Sequence, residues 1–156
     1  LLTTRPGIGL AVRVADCVPV LFADAAGGVI AAAHAGRVGL ADGVLQTTVA
    51  AMRDAGAEAI TAWIGPHICG RCYEVPEAMA TEVEQRVPGS RGTTDRGTPG
   101  LDLGAGALGV LTGLGVRVHE VGRCTLQTPT LHSYRRDAAA SGRQAGIIWL
   151  TGGTPS

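Results

Sequence analysis

Short β-branched runs alternate along this chain with segments of helical period, and that alternation limits the folds open to it. Ile8–Val14, Val18–Ala23 and Gly28–Ala33 are apolar runs separated by turn residues, and they predict three strands. Pro19 lies inside the second run, which places it at a strand start, an edge or a bulge, because proline offers no N–H to a ladder. Between Gly39 and Gly56, residues Leu40, Val44, Leu45, Thr48, Val49 and Met52 share one face at helical spacing, and a glycine closes the segment. Ile60–Ile64 predicts a strand stopped by Gly65-Pro66. Pro76–Val87 predicts a helix with proline in its first turn and Pro88-Gly89 past its end. Residues 88–100 predict a loop, Leu101–Leu114 a glycine-diluted helix, and Val116–Val121 and Gly146–Leu150 two further strands. The pattern is α/β, with a mixed sheet and helices against its faces.

Length and charge narrow the class further. The 156 residues suit one domain, 1–156, of a size that buries about 68–70% of its unfolded-chain surface. Thirteen arginines, with no lysine, balance 13 acidic residues, so the net charge is zero. That balance argues against a nucleic-acid partner or a polybasic membrane binder. The longest uncharged stretch, Leu103–Val116, holds 14 residues and five glycines. A membrane span needs about 20 apolar residues, so none is expected. Aromatic residues make up only 3% while glycine numbers 24, so the core is expected to be built from Val, Leu, Ile and Ala. The cysteines, at 17, 69, 72 and 124, show no secreted-scaffold spacing, and a reducing, cytoplasmic location is the expectation. The chain opens at Leu1 with an extended segment already under way, and a missing N-terminal portion is expected.

Four groups of residues can do chemistry. Val14-Ala-Asp16-Cys17 and Ala33-His34-Ala-Gly36 each sit where a predicted strand meets an irregular segment. Cys and His are the natural ligands of Zn²⁺, which keeps three protein ligands and one open position in catalytic sites. Spacing alone supplies two ligands, and a packed thiol with a core histidine is the alternative. The turn Ala35-Gly-Arg37-Val-Gly39 opens a helix, where free backbone N–H groups and the Arg37 guanidinium suit an anion; an ordinary strand-to-helix turn would look the same. Cys69-Gly-Arg-Cys72 is a CxxC that suits zinc or thiol–disulfide exchange, but no second CxxC or His pair follows at finger spacing, so it reads as structural. His67 beside it could reach a site at the same sheet end or face solvent. Ser133-Tyr-Arg135-Arg136-Asp137 with Ser141-Gly-Arg143 is a polar cluster that either clamps a carboxylate or phosphate or forms Arg–Asp surface pairs. His119 and His132 have no visible partner and read as non-catalytic.

Taken together and in order, Val-Ala-Asp-Cys17-Val-Pro-Val-Leu, Val-Ile-Ala-Ala-Ala-His34-Ala-Gly, Ile64-Gly-Pro…Cys72-Tyr-Glu-Val and Ser133-Tyr-Arg-Arg-Asp…Gly-Arg143…Ile-Trp-Leu150 resemble the YfiH-like family. That family is also called the multicopper polyphenol oxidoreductase, or laccase-domain, family and, more recently, purine nucleoside phosphorylase. The resemblance runs from the first strand to Leu150. It implies a three-layer α/β/α sandwich with a mixed sheet, similar to the catalytic domain of a cysteine-dependent deamidating toxin. It implies a metal triad of a His from a Gln-Val-His-Gly block, the Cys of a Thr-Ala-Asp-Cys motif and the His of a His-Ala-Gly-Trp motif. Cys17 and His34 hold the second and third positions; no Gln-Val-His-Gly occurs in the chain. Two further positions depart from the pattern. Arg37 stands where the family has Trp, exchanging a stacking surface for a cation, and Val14 replaces the motif Thr.

The implied activity is zinc-dependent phosphorolysis of adenosine, inosine, guanosine or methylthioadenosine to free base and ribose 1-phosphate, with adenosine deamination as a companion. On this reading Cys17 and His34 bind zinc, and Asp16 orients a ligand or moves a proton. Arg37 is the first candidate for phosphate, with Arg135 and Arg136 behind it. The partners are then a purine nucleoside and phosphate, in a monomer or small homo-oligomer. Three alternatives remain open: a Cys17 thiolate nucleophile with His34 as base, copper-dependent phenol oxidation, and a degenerate member linked to cell-wall precursor editing. Copper laccase chemistry needs several copper centres, and four scattered histidines do not build them.

Overall fold

A computed structural model describes residues 1–24 and 26–151. Five strands form one sheet: β1 (Leu2–Thr3), β3 (Val18–Asp24), β4 (Val29–Ala35), β5 (Thr61–Ile64) and β8 (Arg117–Glu120), in the order β1-β4-β3-β5-β8. The β1–β4, β4–β3 and β3–β5 pairs are antiparallel and β5–β8 is parallel, so the fold is α/β with a mixed sheet. Strands β2 (Gly9–Val14) and β9 (Gln144–Trp149) pair antiparallel as a separate ribbon.

Alternation along the central strands assigns the two faces. Val18, Val20 and Phe22 of β3, with Val29, Ala31, Ala33 and Ala35 of β4, point to the main core. Helices cover that face: α1 (Arg37–Ala41), α2 (Val44–Asp54), α3 (Glu77–Arg86) and α4 (Leu103–Gly113). From them Leu40, Leu45, Val49, Met52, Val83 and Leu111 enter the core at 0–1% exposure. Leu21 and Ala23 of β3 and Ile30 and Ala32 of β4 face the other way, onto Leu10, Val12 and Val14 of β2 and Ile148 of β9. The ribbon is therefore the layer on the second face among the described residues. Both faces of β3 and β4 are covered, which explains their nearly unbroken apolar sequence. The abundance of alanine in β4 keeps both layers close to the sheet.

Pro19 is the second residue of β3, at the strand start, and its carbonyl accepts from Gly65 N at 2.9 Å. The helix predicted from Gly39 to Gly56 is two helices. Gly43 sits at φ +84°, a left-handed conformation that breaks the run after Ala41, and the apolar face resumes at Leu45, Val49 and Met52. Residues 88–100 are not a plain loop. They carry β6 (Arg91–Thr93), which pairs antiparallel with β7 (Pro99–Leu101); glycine and proline disguised strands only three residues long. Asp102 caps α4 by accepting from Ala105 N at 2.9 Å, so the helix starts two residues later than periodicity predicts. The four-residue α5 (Tyr134–Asp137) is capped by Ser133, which accepts from Arg136 N at 3.2 Å. No helix among the described residues is long and apolar enough to cross a membrane.

Candidate functional site

The register of the β3–β4 ladder builds the site. Val18 pairs with Ala35 and Pro19 with His34, so the next step out of the ladder sets Cys17 beside Gly36. Gly36 has ordinary extended angles, φ −75° and ψ 172°, so glycine is required there for space and not for backbone freedom. A Cβ at that position would lie 3.1 Å from Cys17 Sγ and 3.6 Å from His34 Nε2. The thiol and the imidazole thus front on the same bare Cα. Alternation along β4 turns His34 to the ribbon side of the sheet, away from the helices.

Cys17 and His34 stand in a cleft of about 390 Å³ that Asp16, Tyr73, Tyr134 and three arginines, Arg13, Arg135 and Arg143, also line. Arg135 lies 5.0 Å over the Tyr73 ring and donates to Glu74 O at 3.0 Å. Arg143 lies 5.9 Å from the Tyr134 ring and donates to the carbonyls of Ser141 and Gly142 at 2.9 and 2.7 Å. Both guanidiniums are oriented by an aromatic face and a backbone carbonyl, an arrangement that leaves N–H donors for an anion. Burial pushes the Cys17 thiol above its usual pKa; the Asp16 carboxylate adds to this and Arg143 opposes it. A thiol raised in this way is a poor free nucleophile.

Asp16 occupies a left-handed conformation, φ +83°, which costs a non-glycine residue about 1–3 kcal/mol unless its surroundings enforce it. Here they do. Its carboxylate accepts from Thr125 Oγ1 at 2.6 Å and from Arg135 N at 2.6 Å, and its carbonyl accepts from Ile68 N at 3.0 Å. Both carboxylate oxygens therefore tie the turn before Cys17 to two distant segments.

The remaining sequence candidates fall elsewhere. Arg37 begins α1, a five-residue helix, and does not line the cleft. Arg136 turns inward on its own segment: its guanidinium pairs with both Asp137 oxygens at 2.9 Å and donates to the carbonyls of Thr125 and Leu131 at 3.1 and 2.7 Å. Arg13 was not among the sequence candidates, Tyr73 stood only in the Cys72-Tyr-Glu-Val block, and Tyr134 and Arg143 were noted only as parts of a polar cluster. The alternation of β2, which points Leu10, Val12 and Val14 inward, held no cue to what lies beyond that strand.

The four histidines lie apart. His34 lines the cleft, His67 Nδ1 donates to Gly65 O at 2.9 Å, His119 stacks on Trp63 and His132 lies against Gly142. The CxxC, expected to lack further ligands, has one: Cys124 brings its sulfur within 4.8 Å of those of Cys69 and Cys72. Burial, with the neighbouring thiols, pushes Cys72 up to about 12. Burial also raises Cys124, but donors led by the Cys69 and Gln127 backbone N–H groups outweigh it and hold that thiol below its ordinary value.

A mixed-sheet α/β protein with a Cys–His cleft at its strand ends is the class these features define. The chain belongs to the family described as multi-copper polyphenol oxidoreductase laccase, whose model matches residues 1–151. It is 50% identical over 153 residues to "Purine nucleoside phosphorylase Cgl2154/cg2365" of Corynebacterium glutamicum, covering 96% of this chain and 62% of that protein. It is 41% identical over 152 residues to "Purine nucleoside phosphorylase YfiH" of Escherichia coli, covering 95% of this chain and 62% of that protein. Among solved structures, Neisseria meningitidis protein NMB0706 superposes with a TM-score of 0.84 at 38% identity, over 97% of this chain and 64% of that one. The chain thus spans a little over three fifths of the length of these relatives, and within that span the YfiH-like resemblance and its fold hold.

Proposed function

We propose that this chain carries the larger part of a zinc-dependent purine nucleoside phosphorylase, with adenosine deamination as a companion activity. The observation that carries the reading is the convergence of Cys17 Sγ and His34 Nε2 on Gly36, inside a cleft rimmed by three arginines. A thiolate and an imidazole are the donor pair zinc favours, and the absence of a side chain at Gly36 leaves the space between them open. The names of the relatives from C. glutamicum and E. coli support the choice of substrate class.

In phosphorolysis a phosphate oxygen forms a bond to ribose C1′ while the C1′–N9 bond breaks, and the base leaves with the bonding pair and takes up a proton. When bound by Cys17 and His34, zinc supplies Lewis-acid polarisation. Arg135 and Arg143 hold the phosphate and offset its charge, with Arg13 lining the same cleft. The Tyr73 and Tyr134 rings give the nucleoside flat surfaces to pack on. Asp16, with both carboxylate oxygens engaged, positions Cys17. The companion reaction adds water to adenosine C6 and releases ammonia.

The test is zinc and copper content of the purified protein, with adenine release from adenosine measured in phosphate buffer on the same sample. Phosphate-dependent release, abolished in Cys17→Ala together with loss of zinc, supports the reading. Turnover that survives removal of all metal moves the chemistry to a Cys17 nucleophile. Protein that binds zinc but releases no adenine sinks the phosphorylase assignment.

A further inference from the structure

Cys69 and Cys124 lie outside the cleft, on a separate hollow of about 360 Å³ that Arg71, Arg123, Asp102 and Glu120 also line, and the Cys72 sulfur lies within 4.8 Å of both of theirs. Cys69 and Cys72 stand in a tight turn after β5, where Cys72 N and Tyr73 N both donate to Cys69 O, at 2.9 and 3.0 Å. Cys124 follows β8, the parallel neighbour of β5, and a bridge between His67 and Cys124 continues that pairing past the strand ends. Parallel pairing thus delivers the third thiol to the CxxC across 55 residues of chain. The Cys69 backbone N–H points at Cys124 Sγ at 3.5 Å, a donor suited to a sulfur bearing negative charge.

We propose that Cys69, Cys72 and Cys124 form a second, structural metal site that holds one zinc ion on three thiolates, with its fourth position open to water in the hollow. The dimensions fit. Zinc–sulfur bonds of about 2.3 Å in a tetrahedron place the sulfurs about 3.8 Å apart, so thiols already within 4.8 Å need less than about 1 Å of adjustment. An all-sulfur donor set selects zinc over magnesium or calcium, which take oxygen ligands. Binding releases the three thiol protons to solvent and leaves the zinc with its three thiolates at one net negative charge, in a hollow where Arg71 and Arg123 stand beside Asp102 and Glu120. A disulfide between any two of the cysteines leaves the third unpaired. The turn here also lacks the helix N-terminus that activates redox CxxC motifs.

The ion has a defined job in this fold. It staples the loop after β5 to the loop after β8. Tyr73, the residue after Cys72, lines the cleft, and Thr125, the residue after Cys124, donates to Asp16. The staple therefore fixes the back wall of the Cys17–His34 cleft from behind.

The experiment uses the double variant Cys17→Ala/His34→Ala, so its outcome is independent of the phosphorylase reading. This protein is expected to keep one zinc per chain by elemental analysis, or to take up one equivalent when titrated after chelation. With cobalt(II) in place of zinc, it should show thiolate-to-metal charge transfer with the intensity of about three Co–S bonds, because each thiolate is a direct ligand. Adding Cys72→Ser should remove the bound metal; if that variant does not fold, the cobalt spectrum of the double variant decides. A double variant that neither carries nor takes up metal overturns the proposal. So does a mass lower by two hydrogens that maps to a disulfide among the three cysteines.

Discussion

Thr125 donates its hydroxyl to the Asp16 carboxylate at 2.6 Å, joining residues 109 positions apart. Thr125 is fully buried, and the bond helps hold Asp16 at its positive φ immediately before Cys17. Thr125→Val leaves a charged acceptor short of one donor in a partly buried site, at a cost of about 1–3 kcal/mol. Urea unfolding should show that loss, and zinc affinity should fall with it as the Cys17 turn loosens. An unchanged unfolding midpoint would remove Asp16 from the positioning role assigned to it.

Gly36→Ala tests the space between the thiol and the imidazole. The new methyl would stand 3.1 Å from Cys17 Sγ, with Cys17 carried on a turn that Asp16 pins at both carboxylate oxygens. Its φ of −75° suits alanine, so global stability should change little. Activity should fall about 100-fold, the scale expected when a reacting group is displaced by roughly 1 Å. Steady-state kinetics beside thermal melts separates the two effects.

Asp24 makes stability depend on acid. Its carboxylate, 1% exposed at the end of β3, accepts from Gly27 N, Ala59 N and Glu58 N, and these bonds outweigh burial to hold its pKa below the usual carboxylate range. A depressed folded pKa contributes stability that is complete above the unfolded value of about 3.9 and is lost as pH falls through the folded value. Urea midpoints should drop below about pH 4 in the natural chain. In Asp24→Asn they should start lower at neutral pH and lose less on acidification.

Arg136 and Arg143 are expected to separate on phosphate. Arg143→Gln removes a guanidinium that lines the cleft, so KM for phosphate should rise about tenfold or more, the loss of one charge-assisted bond. Arg136→Lys instead breaks a fork that joins Asp137 to the carbonyls of Thr125 and Leu131. A lysine cannot span those acceptors, so the melting temperature should fall while KM for phosphate stays close to its natural value. The reverse pattern would exchange the two roles.

The strands and the buried faces of the helices were legible in the sequence because each is governed by spacing of a few residues. Val18, Val20 and Phe22 alternate with Leu21 and Ala23, and Leu45, Val49 and Met52 repeat at the pitch of a helix. Cys17 and His34 stood out for the same reason, as the residues at which apolar strands give way to turns. The β6–β7 hairpin was hidden because strands of three residues rich in glycine and proline carry no period to detect. Tertiary structure alone decided the rest. Ladder register set Cys17 beside Gly36, parallel pairing of β5 with β8 brought Cys124 to the CxxC, and Asp16 met Thr125 and Arg135 across more than a hundred residues. Local geometry determines which face a side chain takes; which distant side chain meets it there depends on strand order, and no short stretch of sequence encodes that.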